Sequence, residues 1–290
     1  MVQYRVLEAG DEAALEVFLE GYADSSMILR SNRRAAGLVD RGELGQGTYF
    51  AECDGGRITS VAAHYWNGNL VLQAPTSCDR LMQYAAAHLA RPITGLLGPW
   101  DQVVEARAAL GLAAAPTTLA AREDLFALAL SNLVVPDALA GGRVACRHAR
   151  NDELDLLVQW FLDYSIEALA AKDTLETRES CRARIVRNLD QETLWVLTDE
   201  DRLVAMTGLG AVLPDCVQVG GVWTPPERRR RGYARSVVAG SLLEAREQGA
   251  TRATLFTASE PARRAYRAIG FNVVGDYGIV AFETARAAAL

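Results

Sequence analysis

In the second half of the chain the apolar positions change period several times, and each change marks an element. Val144 to His148 reads as extended, apolar residues then recur at helical spacing from Leu154 to Leu169, and a charged helix follows from about Thr177 to Leu189. Leu194 to Thr198, Leu203 to Val212 and Val217 to Thr224 are strand-like runs, separated by turns over Asp199-Glu200-Asp201 and Pro214-Asp215. They predict a three-stranded antiparallel meander. The stripe Val237, Val238, Leu242, Leu243 and Ala245 then stops at Gly249, a residue suited to the left-handed position that closes a helix. Ala253 to Thr257 is a short buried strand, and Ala262 to Ile269 is a second helix, with Pro261 in its first turn and Gly270 at its end. Phe271 to Phe282 supplies two short final strands.

The first half repeats this plan in outline. Tyr4 to Leu7 is extended, Asp11 to Ala23 is helical, and Thr48 to Cys53, Ile58 to Trp66 and Leu70 to Gln73 are strands. Trp100 to Leu112 reads as a helix closing on Gly111-Leu112, as the later one closes on Gly270-Phe271. The echo indicates an internal duplication. Phe126 to Val135 is strand-like and is assigned to the first copy, and Pro136, Asp137, Gly141 and Gly142 place the boundary near 137–142. The expected architecture is α/β of the α+β kind, with domains at 1–138 and 142–290. Each would be a mixed, mostly antiparallel sheet flanked by helices.

A length of 290 residues suits two cores better than one, and half of the residues are hydrophobic. The net charge of −6 argues against a surface built to neutralise phosphates, so nucleic acid is not an expected partner. The five cysteines are scattered without Cys-x-x-Cys spacing, which suggests neither a disulfide framework nor a metal site. No apolar stretch approaches the ~20 residues needed to span a bilayer. A cytoplasmic protein without a membrane partner is expected.

The chemistry concentrates after the meander. A strand ends in Val222-Trp223-Thr224, Pro225-Pro226-Glu227 follows, and Arg229-Arg230-Arg231-Gly232-Tyr233-Ala234-Arg235 opens the long helix. Glycine permits close approach of the backbone, and free amides at a helix start point at an anion along the favourable end of the dipole. A pyrophosphate would fit there. Four arginines alone could equally be a solvated turn; their place between strand and helix is what favours a ligand site.

Val222 to Ala234 resembles the coenzyme A signature of the GCN5-related N-acetyltransferases, the GNAT superfamily, whose loop reads Gln/Arg-x-x-Gly-x-Gly/Ala. A second motif, Tyr266-x-x-x-Gly270-Phe271, and the order of elements match as well. The resemblance covers the C-terminal half and implies a tandem member with a degenerate N-terminal copy. It further implies that the backbone of Val222, Trp223 and Thr224 pairs with the pantetheine arm of acetyl-coenzyme A. Arg229, Arg230, Arg231, Gly232, Tyr233, Ala234 and Arg235 would form the loop around the pyrophosphate. The strand carrying Val222 and the strand Ala253 to Thr257 would splay apart to admit the thioester.

In the same comparison Tyr266 falls where the family often places the general acid that protonates the leaving thiolate, and a phenol of reference pKa ~10 suits that task. Ser259 stands where many members carry a cofactor-binding asparagine, and Arg263 and Arg264 are candidates for the 3′-phosphate. No metal is called for. The base remains open among Glu260, Asp215, Glu167 and Asp163. His64, His88 and His148 have no partner at ligand or triad spacing, and Trp160 with Tyr164 could line an acceptor pocket or simply pack.

The first copy lacks this chemistry. After Leu70 to Gln73 comes Ala74-Pro75-Thr76-Ser77-Cys78-Asp79-Arg80, without glycine or an arginine run, and Arg107 aligns with Tyr266. The implied activity is transfer of an acetyl group to a primary amine of a small molecule, amino acid or peptide. The alternative is a non-catalytic acyl-coenzyme A-binding or regulatory protein.

Overall fold

The computed structural model describes residues 1–288, which form two compact units, 1–125 with 274–288 and 126–273. The first contains β1 (Val2–Val6), α1 (Glu12–Glu20), α2 (Met27–Ala36), β2 (Gly47–Asp54), β3 (Arg57–Tyr65), β4 (Asn69–Gln73), α3 (Cys78–Ala86), β5 (Ile93–Pro99), α4 (Trp100–Ala109) and the first part of β6 (Thr117–Ala129). The second holds the end of β6, α5 (Asp137–Ala140), β7 (Val144–His148), α6 (Leu154–Leu169), α7 (Leu175–Asp190), β8 (Leu194–Asp199), β9 (Arg202–Val212), β10 (Cys216–Trp223), α8 (Tyr233–Glu247), β11 (Arg252–Thr257) and α9 (Glu260–Arg267). The last strand, β12 (Asn272–Arg286), belongs to the first unit from Val274 onward.

Each unit is a mixed, mostly antiparallel sheet of the same plan. In the first the order is β1-β2-β3-β4-β5-β12, antiparallel throughout except for the parallel pair β4–β5. In the second, β7-β8-β9-β10 is antiparallel, β10–β11 is the parallel pair, and the end of β6 lies beside β11. The repeated order is what the echo between the halves implies.

Burial explains the assignment of the two straddling strands. Phe126, Leu128 and Leu130 are buried in one core with Tyr266, Ile269 and Phe271 of the second unit, whereas Val280 and Phe282 are buried with Leu96, Val103 and Leu110 of the first. Complete burial of one such side chain is worth about 1.5–3 kcal/mol, so each segment goes to the core that can cover it. The run from Phe126 therefore lies in the second unit rather than the first, and the stretch expected as two final strands is a single strand that starts after Phe271. Residues 137–142, where a break was expected, fall inside the second unit, with 137–140 forming α5. The helices α2 and α3 and the strand β5 were not expected at all.

α8 positions the site. Val237, Val238, Leu242 and Ala245 are buried against the sheet, so the helix is held along its length and its first turn is presented at the end of β10. On the opposite face of this sheet, α6 and α7 bury Leu157, Trp160 and Ile185 against Leu194, Val196, Met206 and Trp223.

Candidate functional site

The site begins with a fault in β10. The register steps from Gly220 opposite Gly208 to Trp223 opposite Met206, so Gly221 and Val222 together face the single residue Thr207. This is a β-bulge, which turns a strand and releases backbone groups from the ladder. Gly221 adopts φ +61°, and a Cβ there would stand 3.3 Å from the Phe161 ring, so both conformation and space call for glycine. On its other side β10 pairs with β11 only through Cys216, Val217 and Gln218, ending at Gln218 opposite Thr254. From Val219 onward the two strands have parted.

Beyond Trp223 the chain passes Pro225 and a short 3-10 turn over 226–228, takes a left-handed residue at Arg230 (φ +65°), and enters α8 through Gly232 at φ +84°, ψ 5°. A non-glycine residue in that region costs ~1–2 kcal/mol, a strain that folds usually keep for functional loops. The first amides of α8 have no partner within the helix, and no side chain caps its N-terminus.

A cavity of about 890 Å³ opens over this loop. Val222, Trp223 and Thr224 form one side of its wall, Arg229 to Arg235 its floor, and Ser259 and Tyr266 the other side. The strand end, the arginine-glycine loop, Ser259 and Tyr266, expected from the sequence to hold or act on a ligand, thus border a single cavity. Arg228 and Arg264 join the lining, Arg263 does not, and Glu167 is its only carboxylate among the described residues. Six guanidinium groups against one carboxylate make it a site for an anionic ligand. The indole Nε1 of Trp223 and Oγ1 of Thr224 are buried without hydrogen-bond partners among the described residues, two polar groups poised for a ligand atom. A diphosphate with a long polar arm fits this donor set.

Several lining side chains have structural partners. Arg229 donates from Nε to the Thr224 carbonyl (2.9 Å) and from Nη2 to Glu167 (2.9 Å), and it lies 4.8 Å from the Trp223 ring centroid. The Tyr233 hydroxyl donates to Asp199, which raises the phenol's pKa, and the ring is buried in the core. Only the backbone of Tyr233 is left to serve a ligand. Tyr266 is 7% exposed and packs edge-on against Phe126 and Phe271. Ser259 precedes α9, its amide donating to Thr257 Oγ1 at 3.1 Å.

The carboxylates considered as bases separate. Asp163 accepts from Gln159, Glu260 pairs with Arg263 and Arg264, and Asp215 stands at the paired start of β10. None of these three lines the cavity, whereas Glu167 does. Trp160 and Tyr164 are outside the lining too, Trp160 being part of the α6–α7 core. His148 does have a partner that its spacing could not reveal: its Nε2 meets Glu244 at 2.6 Å, and Trp195 Nε1 donates to the same carboxylate at 2.7 Å. The cluster ties β7 and β8 to α8, away from the cavity.

The first unit resolves the same corner differently. Ser77, left-handed at φ +45°, precedes α3 as Gly232 precedes α8. Here Ala74 N donates to Gln102 Oε1 (2.6 Å) and Asp79 N to Glu105 Oε1 (3.2 Å). Side chains of α4 thus occupy one amide just after β4 and one in the first turn of α3, whereas no side chain caps the start of α8.

Fold and cavity together give a mixed sheet that opens beside a basic loop at a helix start, and comparison with known proteins places that arrangement. Residues 157–271 match the profile of the Acetyltransferase (GNAT) family, and this segment is a GNAT domain. Solved structures extend the likeness of fold. A GCN5-related N-acetyltransferase from Kribbella flavida aligns at 18% identity over 78% of this chain and 87% of its own (TM-score 0.55). A GNAT-family acetyltransferase from Colwellia psychrerythraea aligns at 13% over 97% and 100% (0.52). A tandem GNAT protein from the clavulanic acid biosynthesis pathway aligns at 12% over 97% of both chains (0.54). At these identities the likeness concerns the fold, which is GNAT-like along the whole chain. No curated protein matches the sequence.

Proposed function

We propose that this protein is an acetyl-coenzyme A-dependent N-acetyltransferase with one active site per chain, in the second unit, and that its first unit is a copy that has lost the cofactor site. The observation that carries the reading is the convergence on one cavity of the arginine-glycine loop, the end of β10 beyond its parting from β11, and Tyr266.

In this reading the unpaired backbone of β10 near Val222 holds the pantetheine arm sheet-fashion, and the amides of Arg230 to Arg235 hold the pyrophosphate at the start of α8. Each charge-assisted hydrogen bond of that kind is worth ~1.5–3 kcal/mol net. Ser259 and Arg264 extend the contact along α9. Acetyl-coenzyme A, when bound, supplies an acyl thioester whose C–S bond breaks as the acceptor nitrogen forms the amide. The Tyr266 hydroxyl gives its proton to the departing sulfur, a contribution of ~10²- to 10⁴-fold for a positioned acid, and the proton shed by the acceptor nitrogen returns through solvent to restore the phenol. The ring's packing between Phe126 and Phe271 fixes where that hydroxyl stands.

Gln102 and Glu105 support the assignment of a single site, since a carboxylate at the start of α3 repels the phosphate that the corresponding loop of the second unit attracts. Among the described residues no helix is long and apolar enough to cross a membrane, and the five cysteines are free thiols, consistent with a reducing, cytoplasmic setting. Thiol release from acetyl-coenzyme A against a panel of amines tests the proposal. Turnover with at least one amine supports it; tight cofactor binding with no acceptor turned over would replace it with a non-catalytic acyl-coenzyme A-binding role.

A further inference from the structure

Arg184, on α7, is a cation without a counter-charge. Its Nε is enclosed and without a hydrogen-bond partner, and the side chain makes no ion pair among the described residues. Enclosure and then the neighbouring Arg187 on the same helix both push its pKa below the usual arginine value. The residue as a whole is half-buried and only Nε is cut off from water, so the guanidinium keeps one unsatisfied donor and room for a partner that arrives later.

The guanidinium lies over β9, beside the residue of β10 at which the pairing with β11 ends. A methyl group set at Gly210 would lie 3.8 Å from Arg184 Nη2 and 4.0 Å from Gln218 Oε1, which places both groups around the bare backbone of that glycine. Gln218 is paired with Thr254 in the last step before the strands part, and paired residues put their side chains on one face of the sheet. Thr254 is fully buried, and its Oγ1 likewise has no partner. The guanidinium and the Gln218 carboxamide thus flank Gly210, and the orphaned Thr254 hydroxyl follows on the next strand at the closed end of the opening. The guanidinium suits a planar anion, because its fork matches a carboxylate in two parallel hydrogen bonds.

We propose that the amine acceptor carries a carboxylate, and that Arg184, with Gln218 and Thr254, holds it at the closed end of the opening between β10 and β11. The proposal rests on the acetyl-transfer reading above. Val222, on the cofactor cavity, is four residues further along β10, ~13 Å at the usual rise, so the carboxylate and the reacting nitrogen lie within one small molecule or one short peptide end. Amino acids are the class that fits.

The test uses the full chain, acetyl-coenzyme A, and matched sets of an amino acid, its carboxamide and the simple amine lacking the group. The wild type is expected to turn over acids with kcat/KM ~10²-fold above their amides, and Arg184→Gln to bring the acids down to the amide level, chiefly through acceptor KM. KM for acetyl-coenzyme A stays the same, and Tm stays the same or rises, because the variant removes an uncompensated charge. Equal turnover of acid and amide, or an Arg184→Gln variant that loses both alike with a lower Tm, overturns the proposal. Binding of N-acetyl amino acids against their amides, followed by tryptophan fluorescence, separates the two readings. Acid-selective binding lost in Arg184→Gln, with no amine turned over, sinks acetyl transfer and keeps the anion site. Turnover without acid preference keeps acetyl transfer and sinks the anion site, and so does failure of the acid probes to bind.

Discussion

Arg229, on the loop before α8, and Glu167, near the end of α6, form an ion pair of 2.9 Å at the cavity wall, and the same guanidinium fastens the Thr224 carbonyl and covers the Trp223 ring. The first residue of the arginine loop is therefore a fastening between three segments rather than a phosphate ligand by its side chain.

Arg229→Gln should raise KM for acetyl-coenzyme A by about 10-fold, since it frees the end of β10 that the cofactor must pair with. Glu167→Gln removes one half-exposed ion pair, worth ~0.2–1 kcal/mol, and should change KM by less than about 3-fold. Steady-state kinetics on the two variants checks the order; equal effects would mean that the fastening to Thr224 and Trp223 has no role.

Gly232→Ala should weaken cofactor binding by about 10-fold. A side chain at φ +84° costs ~1–2 kcal/mol, and its Cβ would press on the Arg235 guanidinium at 3.2 Å. Isothermal titration with acetyl-coenzyme A measures this directly, and an unchanged affinity would remove the loop from the cofactor site.

Tyr266→Phe should lower kcat by ~10²-fold or more with little change in Tm, because the ring keeps its contacts with Phe126 and Phe271 and only the hydroxyl is lost. Full activity in the variant would take the general-acid role away from Tyr266.

The pH dependence of stability should carry the mark of His64. This residue is 1% exposed, and burial, followed by the repulsion of Arg91, lowers its pKa to about 4. The unfolded chain binds a proton near pH 6.5 that the folded chain refuses until about pH 4. Stability is therefore complete above pH 6.5 and declines as pH falls through that window. Tm between pH 7 and 4 should fall less steeply in His64→Leu than in the wild type; parallel curves would contradict the assignment.

What the sequence made legible was local. The loop from Val222 to Arg235 and the Tyr266 motif are short-range patterns, and the elements carrying them form as their spacing indicated. The stripe Cys78, Leu81, Met82, Ala85 is a helical spacing too and could have disclosed α3. α2 offers only Met27, Ile28 and Leu29 before a polar run, too brief a stripe to read. The destinations of Phe126 and Phe282 depend on which core can cover them, a long-range outcome that periodicity does not encode. The same holds for Arg229 with Glu167, 62 residues apart, and His148 with Glu244, 96 apart. Arg184 looked like one more charge on a charged helix, and only its missing partner distinguishes it.

The central claim is one functional cofactor site per chain, built on the arginine-glycine loop, and calorimetric titration with acetyl-coenzyme A tests it most directly. The account predicts one equivalent bound per wild-type chain and none by Gly232→Glu, which sets bulk and negative charge into the cradle. Two equivalents per chain, or binding unchanged in Gly232→Glu, would contradict it.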